Sequence, residues 1–215
     1  MSTKFCMNIE FSIAEAISMH LLKLSTLIRE RCSTVVYYID SSHVPPHLTL
    51  HYMYLPEPKL KEAIQVISKV VRRNPIPQLE FEYVEAYQNG ILSLPCKGTS
   101  ALSALHKDLV LTLEPVRGGS VDPDLKHRLK DRPEFYKRNL RKYGYPYVLE
   151  EFRPHIALAR VKRVPFHELE SLARDLNKLW VPMKFEPDTI AVRAWVESGD
   201  VGSTIAQYNL HNSET

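Results

Sequence analysis

Glycine and cysteine are scarce in this chain, and it contains no long apolar run. Only 7 of its 215 residues are glycine, and no Gly-rich phosphate loop is present, which argues against Walker-type nucleotidases and dinucleotide-dependent enzymes. The 3 cysteines lie far apart, so we expect no disulfide framework or zinc ribbon and predict a reducing, cytoplasmic location. No stretch approaches the roughly 18 apolar residues of a membrane span, and the N-terminus lacks the pattern of a secretion signal.

The composition is that of an ordinary globular protein, with 44% hydrophobic and 25% charged residues. A chain of this length can bury about 70% of its unfolded surface, and we expect a single domain over residues 1–215. The net charge is only +3, but eight basic residues against two acidic ones fall between Leu125 and Tyr143. We interpret residues 114–151 as a basic insertion. Its charge fits a phosphate-bearing partner and fits a solvated helix face equally well.

Hydrophobic periodicity predicts alternating strands and helices. Four single strands are expected, at Phe5–Phe11, Thr34–Ile39, His47–Leu55 and Phe152–Val161. Four helices are expected, at Ile13–Arg31, Leu60–Arg72, Ala101–Leu113 and Pro165–Leu179. Two hairpins are expected, at Leu79–Leu94 and Met183–Leu210.

The second half of the chain repeats the element order of the first. Strand, helix and hairpin follow His47 and then follow His155, and the hairpin turns at Gly90 and Gly199 come at nearly equal distances. This repeat predicts an α+β fold with two pseudo-symmetric lobes, each a small antiparallel sheet with helices, and a central cleft between them.

Each of the two equivalent strands begins with a short histidine motif. The motifs read His47-Leu-Thr49-Leu and His155-Ile-Ala157-Leu. Because strand side chains alternate between faces, we expect His51 to share a face with His47 and Thr49. Two imidazoles that face each other across a cleft can serve as general base and general acid, the chemistry that a phosphodiester or cyclic phosphate requires.

The chain resembles the two-histidine phosphoesterase superfamily, also called 2′-5′ RNA ligase-like. Pro46-His47-Leu48-Thr49-Leu50 matches the first of its paired H-x-T/S motifs. The stretch from Tyr143 to His155 is similar to an uncharacterised bacterial branch often encoded beside phosphonate-breakdown enzymes, in which phenylalanine usually stands where this chain has Pro154.

This resemblance implies that His47 and His155 are the acid and base, that Thr49 binds a phosphate oxygen, and that no metal or nucleotide cofactor is required. The implied partner is a small phosphorylated substrate or an RNA end. Ala157 departs from the family pattern because it supplies no hydroxyl. A lost hydrogen bond to a charged group costs about 10- to 100-fold, less than a lost acid or base at about 10²- to 10⁴-fold. We therefore expect weaker binding rather than lost chemistry, or compensation by Arg153.

Three further interpretations of single residues stay open or are disfavoured. Tyr147, with its neighbour Tyr145, could stack on a base or simply anchor a loop. Arg117 could reach a phosphate, although a lone arginine usually has no such role. A metal held by His47 and His51 is disfavoured, because four strand residues span about 13 Å.

The sequence thus predicts a metal-independent phosphodiesterase that acts on a cyclic or 2′-linked phosphodiester of a ribonucleotide or sugar phosphate. The alternative is a module that binds RNA or a phosphorylated ligand without turnover, with Ala157 as a sign of lost catalysis.

Overall fold

A computed structural model describes residues 4–195 and 201–211. The expected hairpin turn near Ser198 and Gly199 lies outside these residues. The strands are β1 Lys4–Ser12, β2 Val35–Tyr38, β3 His47–Pro56, β4 Leu79–Phe81, β5 Glu85–Ala86, β6 Ile91–Pro95, β7 His155–Val161, β8 Met183–Phe185, β9 Thr189–Trp195 and β10 Val201–Asn209. The α-helices are α1 Glu15–Arg31, α2 Leu60–Arg73, α3 Ser100–Arg117, α4 Pro123–Arg128, α5 Glu134–Tyr143 and α6 Phe166–Asn177.

The strands form two four-stranded sheets, in the orders β10-β9-β1-β3 and β2-β7-β6-β5, with β4 and β8 as a separate pair. The strand pairs are antiparallel. The expected α+β architecture of small antiparallel sheets with helices is confirmed. Each sheet combines a histidine strand from one half of the chain with a hairpin from the other half, so neither lobe is a continuous segment.

The core lies where the apolar faces of sheets and helices meet. In β1 the side chains of Met7, Ile9 and Phe11 are fully buried in the main hydrophobic cluster. Asn8 and Glu10 alternate with them and therefore point to the opposite face of the sheet. That opposite face of the first sheet is the one that carries polar groups.

A β-bulge interrupts each histidine strand at the equivalent position. In β3, Ile9 pairs with His51 and Glu10 pairs with Thr49, which leaves Leu50 without a partner in the register. In β7, Ala159 pairs with Leu92 and Ala157 pairs with Ser93, the next residue of β6. Leu158 is therefore left without a partner in the register. Both bulges fall three residues after the histidine, so the internal repeat extends to local backbone geometry.

The first bulge overturns one expectation about side-chain direction. His51 does not share a face with His47 and Thr49, because the extra residue turns it toward the core, where it is 2% exposed. Tyr52 takes the face predicted for His51. There its hydroxyl donates to Asp122 Oδ2 at 3.0 Å, and its ring packs on the apolar cluster of Leu125, Leu129 and Leu140.

Residues 114–151, which the sequence predicts to be a basic insertion, are thereby fastened to the polar face of β3. Helices α4 and α5 supply its apolar cluster. The first residues of this segment belong to α3, which continues through Pro115 to Arg117 and ends at Gly118 in the left-handed conformation, with φ of 60°.

Two buried histidines make the fold sensitive to acid. Burial lowers the pKa of His51 to about 3, and the neighbouring His106 and Arg117 act in the same direction. Burial lowers the pKa of His106 to about 4. Both rings are therefore neutral in the folded protein at pH values where an unfolded histidine already binds a proton.

We expect the free energy of unfolding to fall as the pH drops from about 6.5 toward 4, because only the unfolded state takes up these protons, at about 1.4 kcal/mol per pH unit for each proton. Urea denaturation of wild type and His51→Leu at several pH values measures this dependence. The variant should show a pH slope smaller by about one proton. Equal slopes would exclude His51 as a contributor.

No helix in residues 4–195 and 201–211 is long and apolar enough to cross a membrane.

Candidate active site

His47 and His155 occupy the first positions of β3 and β7, two strands that lie in contact. Each ring is held by the backbone two residues earlier. Nδ1 of His47 is 2.9 Å from the carbonyl oxygen of Pro45, and Nδ1 of His155 is 2.8 Å from that of Arg153. Because a carbonyl can only accept, Nδ1 carries the proton in both rings, and Nε2 is the nitrogen available for acid or base chemistry.

The two imidazoles interact electrostatically. Burial lowers the pKa of His155 below that of an ordinary histidine, and the charge on His47 lowers it further, against the opposing effect of the hydrogen bond to the Arg153 carbonyl. The strands that carry the two histidines lie in contact, and the two rings are close enough for the charge of one to affect the other. Matched orientation and proximity are what a shared acid and base require.

The residues two positions after each histidine differ between the lobes. Thr49 lies opposite Glu10 of β1, and Ala157 lies opposite Ser93 of β6. Ser93 is fully buried, and its hydroxyl has no hydrogen-bond partner among the residues that the structure describes. We name His47, Thr49, His155 and Ala157 together the histidine site.

The structure adds two charged residues that the sequence interpretation missed, Glu10 and Arg193. The Glu10 side chain is 0% exposed. It accepts a hydrogen bond from Arg193 Nε at 2.7 Å and another from the Asn8 amide. Glu10 Oε2 also lies 3.8 Å from His47 Nε2. The signal in the sequence was the alternation of Asn8 and Glu10 with apolar neighbours in a strand, which marks a polar group on a sheet face.

Arg153 lies outside the strand in which it was expected, and Tyr147 lies in the segment 114–151, as expected. Arg153 precedes β7 rather than sharing its face with His155, and its Nη1 donates to the Glu150 and Phe152 carbonyls at 2.7 and 3.0 Å. Tyr147 is 40% exposed on the insertion. Its ring meets that of Tyr145 edge-on. Substrate contacts by either residue stay predictions.

The structure contradicts the predicted role of Arg117 in phosphate binding. We expected a residue that could reach a phosphate, but its side chain is 1% exposed. Its guanidinium bonds to Glu114 and to the carbonyls of Ser120, Arg141 and Lys142. Arginine is the residue that can satisfy so many acceptors at once. Arg117 therefore ties the insertion to the end of α3.

No group of three or more His, Cys, Asp or Glu side chains in the described parts of the chain could hold a metal ion. The ionisable groups that the structure places at the histidine site include the two imidazoles, Glu10 and Arg193. Burial and the charge of Glu10 raise the pKa of the nearby Tyr37 hydroxyl on β2.

Comparison with solved structures defines the class of fold. E. coli LigT in its apo form has a TM-score of 0.60 and 12% sequence identity, over 97% of this chain and 98% of that one. LigT complexed with 3′-AMP has a TM-score of 0.59 and 12% identity, over 98% and 100%. TT0787 of Thermus thermophilus has a TM-score of 0.58 and 17% identity, over 97% and 99%. The chain therefore has the LigT-like fold of the two-histidine phosphoesterases.

The sequence places the chain within a family. The profile of the 2′-5′ RNA ligase superfamily matches residues 24–199, most of the chain, and the protein belongs to that superfamily. No curated protein matches the sequence. The matched range includes both histidine motifs.

Proposed function

We propose that the protein is a metal-independent phosphodiesterase that opens a cyclic phosphate, or cleaves a 2′-linked phosphodiester, of a ribonucleotide or sugar phosphate. The observation that carries this proposal is the matched pair of imidazoles, each with Nδ1 on a carbonyl two residues back. Membership of the 2′-5′ RNA ligase superfamily supports it.

The environments of the two rings favour His155 as the general base and His47 as the general acid. The lowered pKa of His155 keeps its imidazole neutral at physiological pH, which is the form that a general base needs. His155 would take a proton from the attacking water through Nε2. His47 would donate a proton through its own Nε2 to the sugar oxygen that leaves phosphorus. The Thr49 hydroxyl would donate to a phosphate oxygen.

The expected ligand of the site is a nucleotide phosphate. LigT has been crystallised with 3′-AMP and shares this fold. The segment 114–151 carries eight basic residues between Leu125 and Tyr143 and is fastened through Asp122 to Tyr52, five residues after His47 on β3.

Hydrolysis in the presence of EDTA tests the proposal. We expect turnover of 2′,3′-cyclic nucleotides or a 2′-5′-linked dinucleotide, with a bell-shaped pH dependence, because one imidazole must be neutral while the other is protonated. Strict dependence on a divalent ion would contradict the mechanism. Tight binding of these compounds without turnover at any pH would support the binding module instead.

A second experiment addresses the missing hydroxyl. Ala157→Thr should lower KM by up to about 10-fold and leave the pH profile unchanged, because the new hydroxyl lies two residues from His155, on the same strand face. The steady-state kinetics of Arg153→Ala are measured beside it. A raised KM in Ala157→Thr, with no change in Arg153→Ala, would contradict both the lost contact and compensation by Arg153.

A further inference from the structure

Glu10 and Arg193 form a charged pair beside His47 that neither histidine motif includes. The Arg193 side chain is 19% exposed, whereas Glu10 is fully buried. Removing a carboxylate from water is costly unless a cation and hydrogen bonds compensate. Arg193 and Asn8 supply that compensation.

The strand register puts this pair on the same face as the first histidine motif. Arg193 of β9 pairs with Asn8 of β1, and Glu10 pairs with Thr49 of β3. Directly paired residues project from the same face of a sheet, as do residues two apart in a strand. One carboxylate group therefore separates the Arg193 guanidinium from the His47 imidazole, since its two oxygens lie 2.7 Å from Arg193 Nε and 3.8 Å from His47 Nε2.

The second lobe offers no equivalent of the pair. Ser93 stands opposite Ala157 where Glu10 stands opposite Thr49, so the second lobe has neither a carboxylate nor a threonine hydroxyl at these positions. Apart from the buried Ser93 hydroxyl, a phosphodiester held between the two rings would then rely on the first lobe for donors at these positions. The guanidinium is suited to this role, because its terminal amino groups can bind two phosphate oxygens while Nε binds a carboxylate.

We infer that Arg193 is a phosphate-binding residue of the histidine site, that Glu10 is the positioning residue that aims it, and that the pair replaces the hydroxyl missing at Ala157. This inference rests on the proposed function for the identity of the ligand. It assigns the phosphate contact to β9, at the far end of the sequence from His47.

Binding of inorganic phosphate to the full chain, measured by calorimetry, tests the inference without any need for turnover. Arg193→Gln should weaken phosphate binding by about 10- to 100-fold, the range for a hydrogen bond to a charged group. Arg193→Lys keeps the charge but loses the forked donor geometry, so its affinity should fall between the two. Where a substrate is turned over, KM should rise in both variants.

The double variant Glu10→Gln/Arg193→Gln separates ligand binding from a purely structural role. Arg193→Gln alone leaves a buried carboxylate without its cation, which destabilises the protein. The double variant removes both charges and should recover thermal stability while phosphate binding stays weak. If Arg193 serves only to neutralise Glu10, the double variant should bind phosphate as wild type does, and the inference is overturned.

Arg73→Gln is the matched control, because Arg73 also bonds to a carboxylate through Nε, that of Asp108, but on the surface at 52% exposure. It should bind phosphate normally. Should Arg193→Gln not fold, the lysine and double variants give the answer. The inference is overturned if wild type and every folded Arg193 variant bind phosphate with the same affinity. It is also overturned if wild type does not bind phosphate. Phosphate binding that depends on Arg193, without turnover of any ester, leaves the inference standing and removes the proposed function.

Discussion

Replacement of either His47 or His155 by alanine is expected to lower kcat/KM for a cyclic phosphate by about 10²- to 10⁴-fold, the usual contribution of a positioned acid or base. The double variant should lose little more than the worse single one, because the two rings act on the same transition state. Steady-state kinetics in EDTA measure both effects.

The shape of the pH profile tells the two rings apart. In the proposed mechanism His155 is the base, so its lowered pKa sets the acid limb below the range of an ordinary histidine. His155→Ala should abolish that limb in whatever activity remains, whereas His47→Ala should abolish the alkaline limb. His167→Ala, at an exposed position on α6, is the control and should keep wild-type kinetics. Wild-type activity in either active-site variant would end the two-imidazole mechanism.

The sequence was informative where a residue's role depends on its own strand. Alternation and the two histidine motifs predicted the two histidine strands, which the structure shows as β3 and β7. The β-bulge at Leu50 was not predictable, because it depends on the register with β1, which single-strand periodicity does not encode. For that reason the predicted side-chain direction of His51 was wrong.

The same limit explains why Glu10 and Arg193 were missed. They lie on β1 and β9, about 180 positions apart in the chain, and only the order of strands in the sheet brings them together. The sequence shows a glutamate in an apolar strand, but it does not show which basic residue pairs with that glutamate. The prediction for Arg117 was wrong for a related reason. The carbonyls of Arg141 and Lys142 that bind its guanidinium lie far along the chain, and the sequence near Arg117 does not indicate them.

His106 connects β3 to the turn that precedes β7 from within the core. Its Nδ1 lies 2.7 Å from the carbonyl oxygen of Leu50, the bulge residue of β3. Its Nε2 accepts a hydrogen bond of 2.8 Å from the backbone N–H of Leu149. Its ring stacks on Phe152 at 3.8 Å between centroids. Leu149 begins the 3-10 turn that ends at Glu151, just before the Arg153 carbonyl that orients His155.

The variant His106→Ala should therefore lower the free energy of unfolding by about 3 to 5 kcal/mol, the range for truncating a large buried side chain. The loss combines a cavity, a lost ring contact and two buried backbone groups left without partners. Urea denaturation measures it, with an unchanged m value showing that the unfolding reaction is the same.

His20→Ala is the matched control, because His20 also lies on a helix, stands edge-on to an aromatic ring and bonds to a backbone carbonyl, but near the surface. It should cost less than about 1 kcal/mol. His106→Ala should also reduce kcat at temperatures where the variant is fully folded, because the turn that places the Arg153 carbonyl loses its anchor and the His155 ring loses its fixed orientation. Full kcat in a folded but destabilised His106→Ala would show that His106 supports the core alone and that β7 positions His155 without it.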